Sequence, residues 1–367
     1  MFADWPYFDS GSMHNNGTMK IPRACLQAMP KIDLHRHLEG SLRLTTLLEV
    51  ARKYSLDLPA NDVEKLRPFV QITDDPPNHE AFLSKFEVLR HFYRSPETIS
   101  RLAYEAVADA ALDNIHYLEL RFSPQALARV RGFDLAEVTD WVITAVQQAS
   151  QDYHIQVGLI ISLVRHEPVA QARQVAQIAY DRVGKGVVGI DLAGDEVKYP
   201  SAPFAPIFQT AKEAGLGITI HAGEWASAIG VRQAIEDLNA SRVGHGVRAI
   251  ENSQVLKLIQ ERNVALEVCL TSNLQTGVVH SVSHHPLVDM LDLNLLATLN
   301  TDDPSVSNLT LTDEYEVAMK ALGLPYIQLR RMVLNAASAA FLPEDGRQRL
   351  IAHFQKELPP DGLPTGC

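Results

Sequence analysis

His35 and His37 flank Arg36 at the end of a stretch, Lys31–His37, in which Ile32 and Leu34 alternate with polar residues. Side chains two apart on a strand share a face. Both imidazoles therefore point the same way where Leu38-Glu39-Gly40 leaves as a loop. Neutral imidazole is the commonest protein ligand for a transition metal, so the pair offers half of a four-coordinate shell. Taken alone, the pair reads equally as two solvated strand-end histidines. His221 closes the run Gly217-Ile218-Thr219-Ile220, and Asp302 follows the last apolar run, Leu295–Asn300. They are natural third and fourth ligands for a catalytic zinc, which takes nitrogen and oxygen donors and keeps one position for water. Read singly, His221 is also a structural histidine and Asp302 a turn or capping residue ahead of Pro304.

Hydrolysis at such a centre needs proton handling. Glu224 lies three residues past His221, beyond the Ala222-Gly223 turn, and suits a proton shuttle if its surroundings raise its pKa. The alternative is an acidic residue in the first turn of a helix. His245, between Gly244 and Gly246, suits a base or an electrostatic partner to hydroxide; the alternative is a buried histidine bonded to backbone. Asp303 points elsewhere than Asp302, leaving one carboxylate for metal and one for a ring nitrogen of a heteroaromatic substrate. Gly194 lets backbone approach a flat ligand closely, or simply makes a turn.

These residues need a scaffold that brings distant positions to one rim. Eight short apolar runs punctuate the chain: Lys31–His37, Ile115–Phe122, Ile155–Leu163, Val187–Leu192, Gly217–His221, Arg242–His245, Val264–Cys269 and Leu295–Asn300. Segments of helical spacing such as Ala170–Val183 and Pro206–Ala214 lie between them. Alternating strands and helices imply right-handed βαβ units. Eight units predict an α/β fold of the (β/α)8 barrel type, with a doubly wound open sheet as the alternative. Catalytic groups in such barrels sit at the C-terminal ends of strands, where the candidate residues fall. The longest connection, residues 41–114, predicts a helical lid inserted between strands 1 and 2. One of its helices opens at Ser95-Pro96-Glu97, a capping serine with proline behind it. Phe82 and Phe86 either line a pocket for a flat ring or form this layer's own core. Residues 1–28 read as an N-terminal extension, 29–350 as one domain, and 351–367 as a helix end and tail.

Composition narrows the partners. The 367 residues are 46% hydrophobic and 21% charged, with a net charge of −11. That balance disfavours nucleic acid and anionic membranes and leaves small neutral or cationic substrates. Cys25, Cys269 and Cys367 form no disulfide framework or C-x-x-C knuckle, which predicts a reducing compartment, the cytoplasm by default. No apolar run is long enough to span a bilayer, and Met1–Lys20 lacks the pattern of a secretion signal.

His35-x-His37-Leu38-x-Gly40, Asp191-Leu192-Ala193-Gly194-Asp195-Glu196, His221-Ala222-Gly223-Glu224, Gly244-His245-Gly246, Thr271-Ser272-Asn273 and Asn300-Thr301-Asp302-Asp303-Pro304 together resemble the adenosine deaminase family in its bacterial form. The likeness runs in order from about Pro30 to Arg349. It implies one zinc per chain held by His35, His37, His221 and Asp302, and hydrolysis of an adenine 6-amino group to ammonia. It assigns Glu224 to protonation of ring N1, and His245 to orienting the attacking hydroxide and stabilising charge at C6. It assigns Asp303 to N7 and the Gly194 backbone to N3. His37-Leu38-Glu39 matches the H-x-E half of the cytidine-type deaminase signature, but its P-C-x-x-C half is absent. So is a lysine in Val187–Leu192 that could bridge two metals, so a mononuclear site is expected. A silent, merely nucleoside-binding barrel would have lost a ligand or the shuttle, and all six positions are filled. The family usually carries Asp at the ribose-contacting position where this chain has Glu39. Glu is common there in relatives acting on adenine or on 6-amino-6-deoxyfutalosine. Thr271-Ser272-Asn273 with Thr276-Gly277 looks more like the nucleoside-acting branch. The resemblance thus implies a purine nucleoside substrate: adenosine (with 2'-deoxyadenosine) first, aminodeoxyfutalosine second, adenine third.

Overall fold

A computed structural model describes residues 21–59 and 62–360. Eight parallel strands follow one another around the sheet in sequence order: β1 (Lys31–His37), β2 (Ile115–Phe122), β3 (Gln156–Val164), β4 (Val187–Ala193), β5 (Gly217–Ala222), β6 (Arg242–His245), β7 (Ala265–Val268) and β8 (Leu296–Leu299). Just past β8 the Asp302 amide donates to the His35 carbonyl and the His37 amide to the Asp302 carbonyl, both at 2.8 Å. These bonds join the last strand to the first. A doubly wound sheet would reverse its strand order at a switch point; sequential order with joined ends makes this a (β/α)8 barrel. Three strands match the sequence expectation residue for residue. The helix expected over Ala170–Val183 spans Val169–Tyr180, and it stops early because Val183 pairs with Val187 in an isolated bridge.

The strands carry Val, Ile and Leu on their outer faces because helices cover them, as parallel sheets require. At the N-terminal end the ring of Phe341 plugs the barrel. A side chain on Gly189 or Gly217 would overlap that ring, so glycine is what admits it.

Between β1 and β2 lie the helices Leu44–Lys53, Val63–Val70, His79–Leu89 and Pro96–Leu112, with a 3-10 turn at Arg90–Phe92. Asn78 caps the third through the Ala81 amide (2.7 Å), and Ser95 caps the fourth through Thr98 (3.2 Å) with Pro96 at its first position. Phe82 is buried in the main core and Phe86 packs half-buried against it, which favours the core role over the pocket for Phe82. The insertion also touches the loops after β5 and β8. The Ile72 amide donates to Val306 at 2.8 Å, and the His79 ring lies 5.1 Å from that of Trp225.

The described part of the extension holds a helix, Arg23–Ala28. Its carbonyls at Leu26 and Gln27 accept from Lys31 Nζ. Residues 1–20 and 361–367 lie outside the described residues. A final helix, Glu344–Glu357, runs through the expected boundary at residue 350.

Candidate functional site

His35 and His37 at the end of β1, His221 on β5 and Asp302 just beyond β8 converge at the C-terminal mouth, each offering one donor atom within 4.8 Å of all the others. His37 Nε2 lies 3.3 Å from His221 Nε2, and Asp302 Oδ1 lies 3.1 Å from His35 Nε2 and 3.4 Å from His37 Nε2. Ligands bonded at 2.0–2.1 Å around a tetrahedral zinc stand roughly 3.3 Å apart. The spacing therefore suits a single cation. Two rings are fixed from behind: His35 Nδ1 meets Glu267 at 2.7 Å and His221 Nδ1 meets Asp191 at 3.0 Å. Carboxylates so placed hold the proton on Nδ1 and leave Nε2 free to bind metal. With its proton on Nδ1, His35 Nε2 makes no hydrogen bond and its lone pair faces the Asp302 carboxylate at 3.1 Å, an arrangement that a cation between the two relieves. The residues present fit a metal ion.

The remaining candidates line the same rim. Glu224 Oε2 lies 3.6 Å from His245 Nε2, which lies 3.8 Å from Asp302 Oδ2. Burial, then the neighbouring carboxylates of Asp302 and Glu196, push the Glu224 carboxyl well above the ordinary range, as a proton donor at neutral pH requires. Its turn is shaped by Glu196, whose carboxylate accepts the amides of Gly223, Glu224, Trp225 and Ala226 at 2.8–2.9 Å. His245 is buried, which holds its pKa well below the usual value, and it adopts a φ of 61°, rare for a side chain with a Cβ. Asp303 Oδ1 is buried without a partner. Burial, Asp302 and Glu39 raise Asp303 far above the usual carboxylate range. Its carboxyl sits where a Cβ on Gly40 would be, which is why the β1 loop has glycine there. Glu39 accepts from the Ser123 amide at 2.7 Å through one oxygen, while the other is buried without a partner. Burial brings Glu39 up to about 7. Gly194 follows the end of β4 with a φ of 100°, bordered by Val164 and Arg165 and not by the four-donor group.

Several participants escape the sequence reading. Glu267 on β7 bridges His35, Arg121 (2.8 Å) and Arg242 (2.6 Å). Glu119 faces Arg242 at 2.5 Å and accepts from Tyr117 at 2.7 Å. The available signal is a charge at alternate positions inside an otherwise buried strand, as in Leu118-Glu119-Leu120-Arg121 and Leu266-Glu267-Val268. Behind His245 stand Asn273, which the sequence marks only as part of Thr271-Ser272-Asn273, and His285, which it does not mark at all.

A family model for adenosine deaminase matches residues 30–357. An adenosine deaminase from Klebsiella pneumoniae is 40% identical over 331 residues, covering 90% of this chain and 98% of that one. Among solved structures, an adenine deaminase from Arthrobacter aurescens superposes with a TM-score of 0.82 at 26% identity, covering 89% and 98% of the two chains. An amidohydrolase from Burkholderia ambifaria with bound zinc does so at 0.84 and 25% identity, covering 92% and 94%. No helix among the described residues is long and apolar enough to cross a membrane. With the mouth of the barrel and these matches in agreement, the chain belongs to the adenosine deaminase family, and it is a deaminase acting on the C–N bond of a cyclic amidine.

Proposed function

We propose that the protein converts adenosine, and 2'-deoxyadenosine, with water to inosine, or deoxyinosine, and ammonia, using one zinc ion held by His35, His37, His221 and Asp302. The observation that carries this reading is the convergence of those four donors within 4.8 Å, with Glu224 and His245 beside them. A bound zinc ion supplies a nucleophile at neutral pH by lowering the pKa of its water to roughly 7. Glu224, kept protonated by burial, gives its proton to ring N1 and so makes C6 electrophilic. His245 turns its Nε2 toward the attacking oxygen and steadies charge there. Asp303, protonated for the same reason as Glu224, donates to N7, and the Gly194 backbone meets N3. Glu39 reads the ribose through its unpartnered oxygen, and the helical insertion 41–114 covers the mouth as a lid. The cytoplasm remains the expected compartment.

Adenosine stands first because relatives of that name align over nine tenths of the chain. A second substrate, 6-amino-6-deoxyfutalosine, is favoured by Glu39, whose extra methylene relative to Asp moves the carboxylate that meets the sugar. Adenine stands third, with the Arthrobacter enzyme as its support. Comparing kcat/KM for the four compounds by ultraviolet absorbance tests the order. Adenosine should lead, and a preference for aminodeoxyfutalosine or adenine would replace it. Glu39→Asp should raise the adenosine to aminodeoxyfutalosine ratio; an unchanged ratio means the sugar is read elsewhere.

A further inference from the structure

Behind His245 runs a chain of hydrogen bonds that starts from a group with only one way to bond. The Leu287 amide donates to His285 Nδ1 at 3.1 Å. A backbone N–H cannot accept, so Nδ1 of His285 carries no proton, and the neutral ring must carry its proton on Nε2. Burial keeps that ring neutral, bringing its pKa down to about 3. His285 Nε2 lies 3.1 Å from Asn273 Oδ1 and therefore donates to it. The opposite amide orientation would set two donors face to face. Asn273 Nδ2 then points at His245 Nδ1, 3.1 Å away, and donates to it. His245 Nδ1 is thereby an acceptor without a proton, and its Nε2 bears one. That Nε2–H faces Glu224 at 3.6 Å and Asp302 at 3.8 Å. All three side chains are buried, so bulk water has no access that would scramble the order.

We infer that Asn273 and His285 are positioning residues which fix His245 as the Nε2–H tautomer, making it a hydrogen-bond donor to the reacting oxygen and not a base that takes a proton from it. The inference rests on the reading of His245 as a residue that faces the substrate. It divides the work: Glu224 moves the proton, while His245 holds the oxygen. Donors aimed at a developing charge are worth most when their direction is set before reaction. The left-handed backbone of His245 serves the same end by seating the ring between Asn273 and the mouth.

The direct test is the nitrogen spectrum of the imidazoles in the zinc-loaded full chain, labelled with [15N]histidine, with His245 assigned from its loss in His245→Gln. Wild-type His245 should show a bare Nδ1 and a protonated Nε2. The reverse pattern overturns the inference without any variant, and because it needs no turnover it is separate from the choice of substrate. Asn273→Asp keeps the shape of the side chain but presents an acceptor to both rings. It should put a proton on Nδ1 and lower kcat about 100-fold, on the scale of a misplaced catalytic proton, with KM within about threefold. An unchanged tautomer, or an unchanged kcat with the proton moved, overturns it. His285→Ala, which frees the Asn273 amide to rotate, should give both tautomers and a smaller loss, about tenfold in kcat; a single unchanged tautomer in that variant also counts against the inference.

Discussion

The interior of the barrel and its C-terminal mouth both bury charged side chains, but they settle the charge differently. Inside, Arg121 and Arg242 stand against Glu119 and Glu267, and Arg121 also lies 3.5 Å from Asp191, so each of these carboxylates has a guanidinium beside it; Arg242 is also stacked 3.5 Å above the Phe341 ring. At the mouth, four carboxyls crowd together: Glu39, Glu224, Asp302 and Asp303. Among the described residues, the ion-pair partners of Asp302 and Glu224 are imidazoles. Asp303 and Glu39 each keep one buried oxygen with no partner. Charge that is balanced within the protein holds a wall in place. Charge left unbalanced is waiting for a cation, a proton or a substrate. Glu267 joins the two levels, since the same carboxylate that takes Arg121 and Arg242 holds His35.

Four substitutions break or sharpen this contrast. The largest effect belongs to His221→Ala, which should lose metal and turnover together; a variant that retains stoichiometric zinc by elemental analysis would remove His221 from the ligand set. In the interior, Arg242→Met should cost about 3–5 kcal/mol of folding stability in denaturant titration, because Glu119 and Glu267 lose a buried partner. A cost near zero would mean the interior charges are as independent as those at the mouth. Glu224→Gln should leave zinc bound and the fold unharmed while cutting kcat/KM at least 100-fold, about 2.7 kcal/mol of barrier. Near-normal turnover would reject its role as proton donor. The smallest effect is on stability at the mouth. Asp303→Asn should stabilise the metal-free fold by up to about 1 kcal/mol while lowering activity, as removing an unpaired carboxyl from a functional site does. Destabilisation there would place Asp303 with the structural charges.

The strands were legible because each is an apolar run ending in polar punctuation, and the longest discrepancy among helices comes from a local bridge, Val183 to Val187, which ends the helix where apolar spacing alone would continue it. The six positions at strand ends were legible because strand ends in a barrel share one rim. Glu267, Glu119 and Arg242 were not, since a charge within a buried strand reads as an interruption until its partner on another strand is known. Asn273 sat inside a motif noticed for its pattern, and His285 in none.

From the chain alone come the residue types that can bind a metal, the order in which they arrive, and the period that makes eight strands. Those depend on neighbours a few positions apart. What folding adds is pairing between different elements, from a dozen to more than two hundred residues apart: His35 with Glu267, His221 with Asp191, Asn273 between His245 and His285. Which nitrogen carries a proton, and which carboxyl keeps one, follows from those contacts, because ionisation and tautomer are set by the nearest donors, acceptors and charges in space and not by the order of the chain.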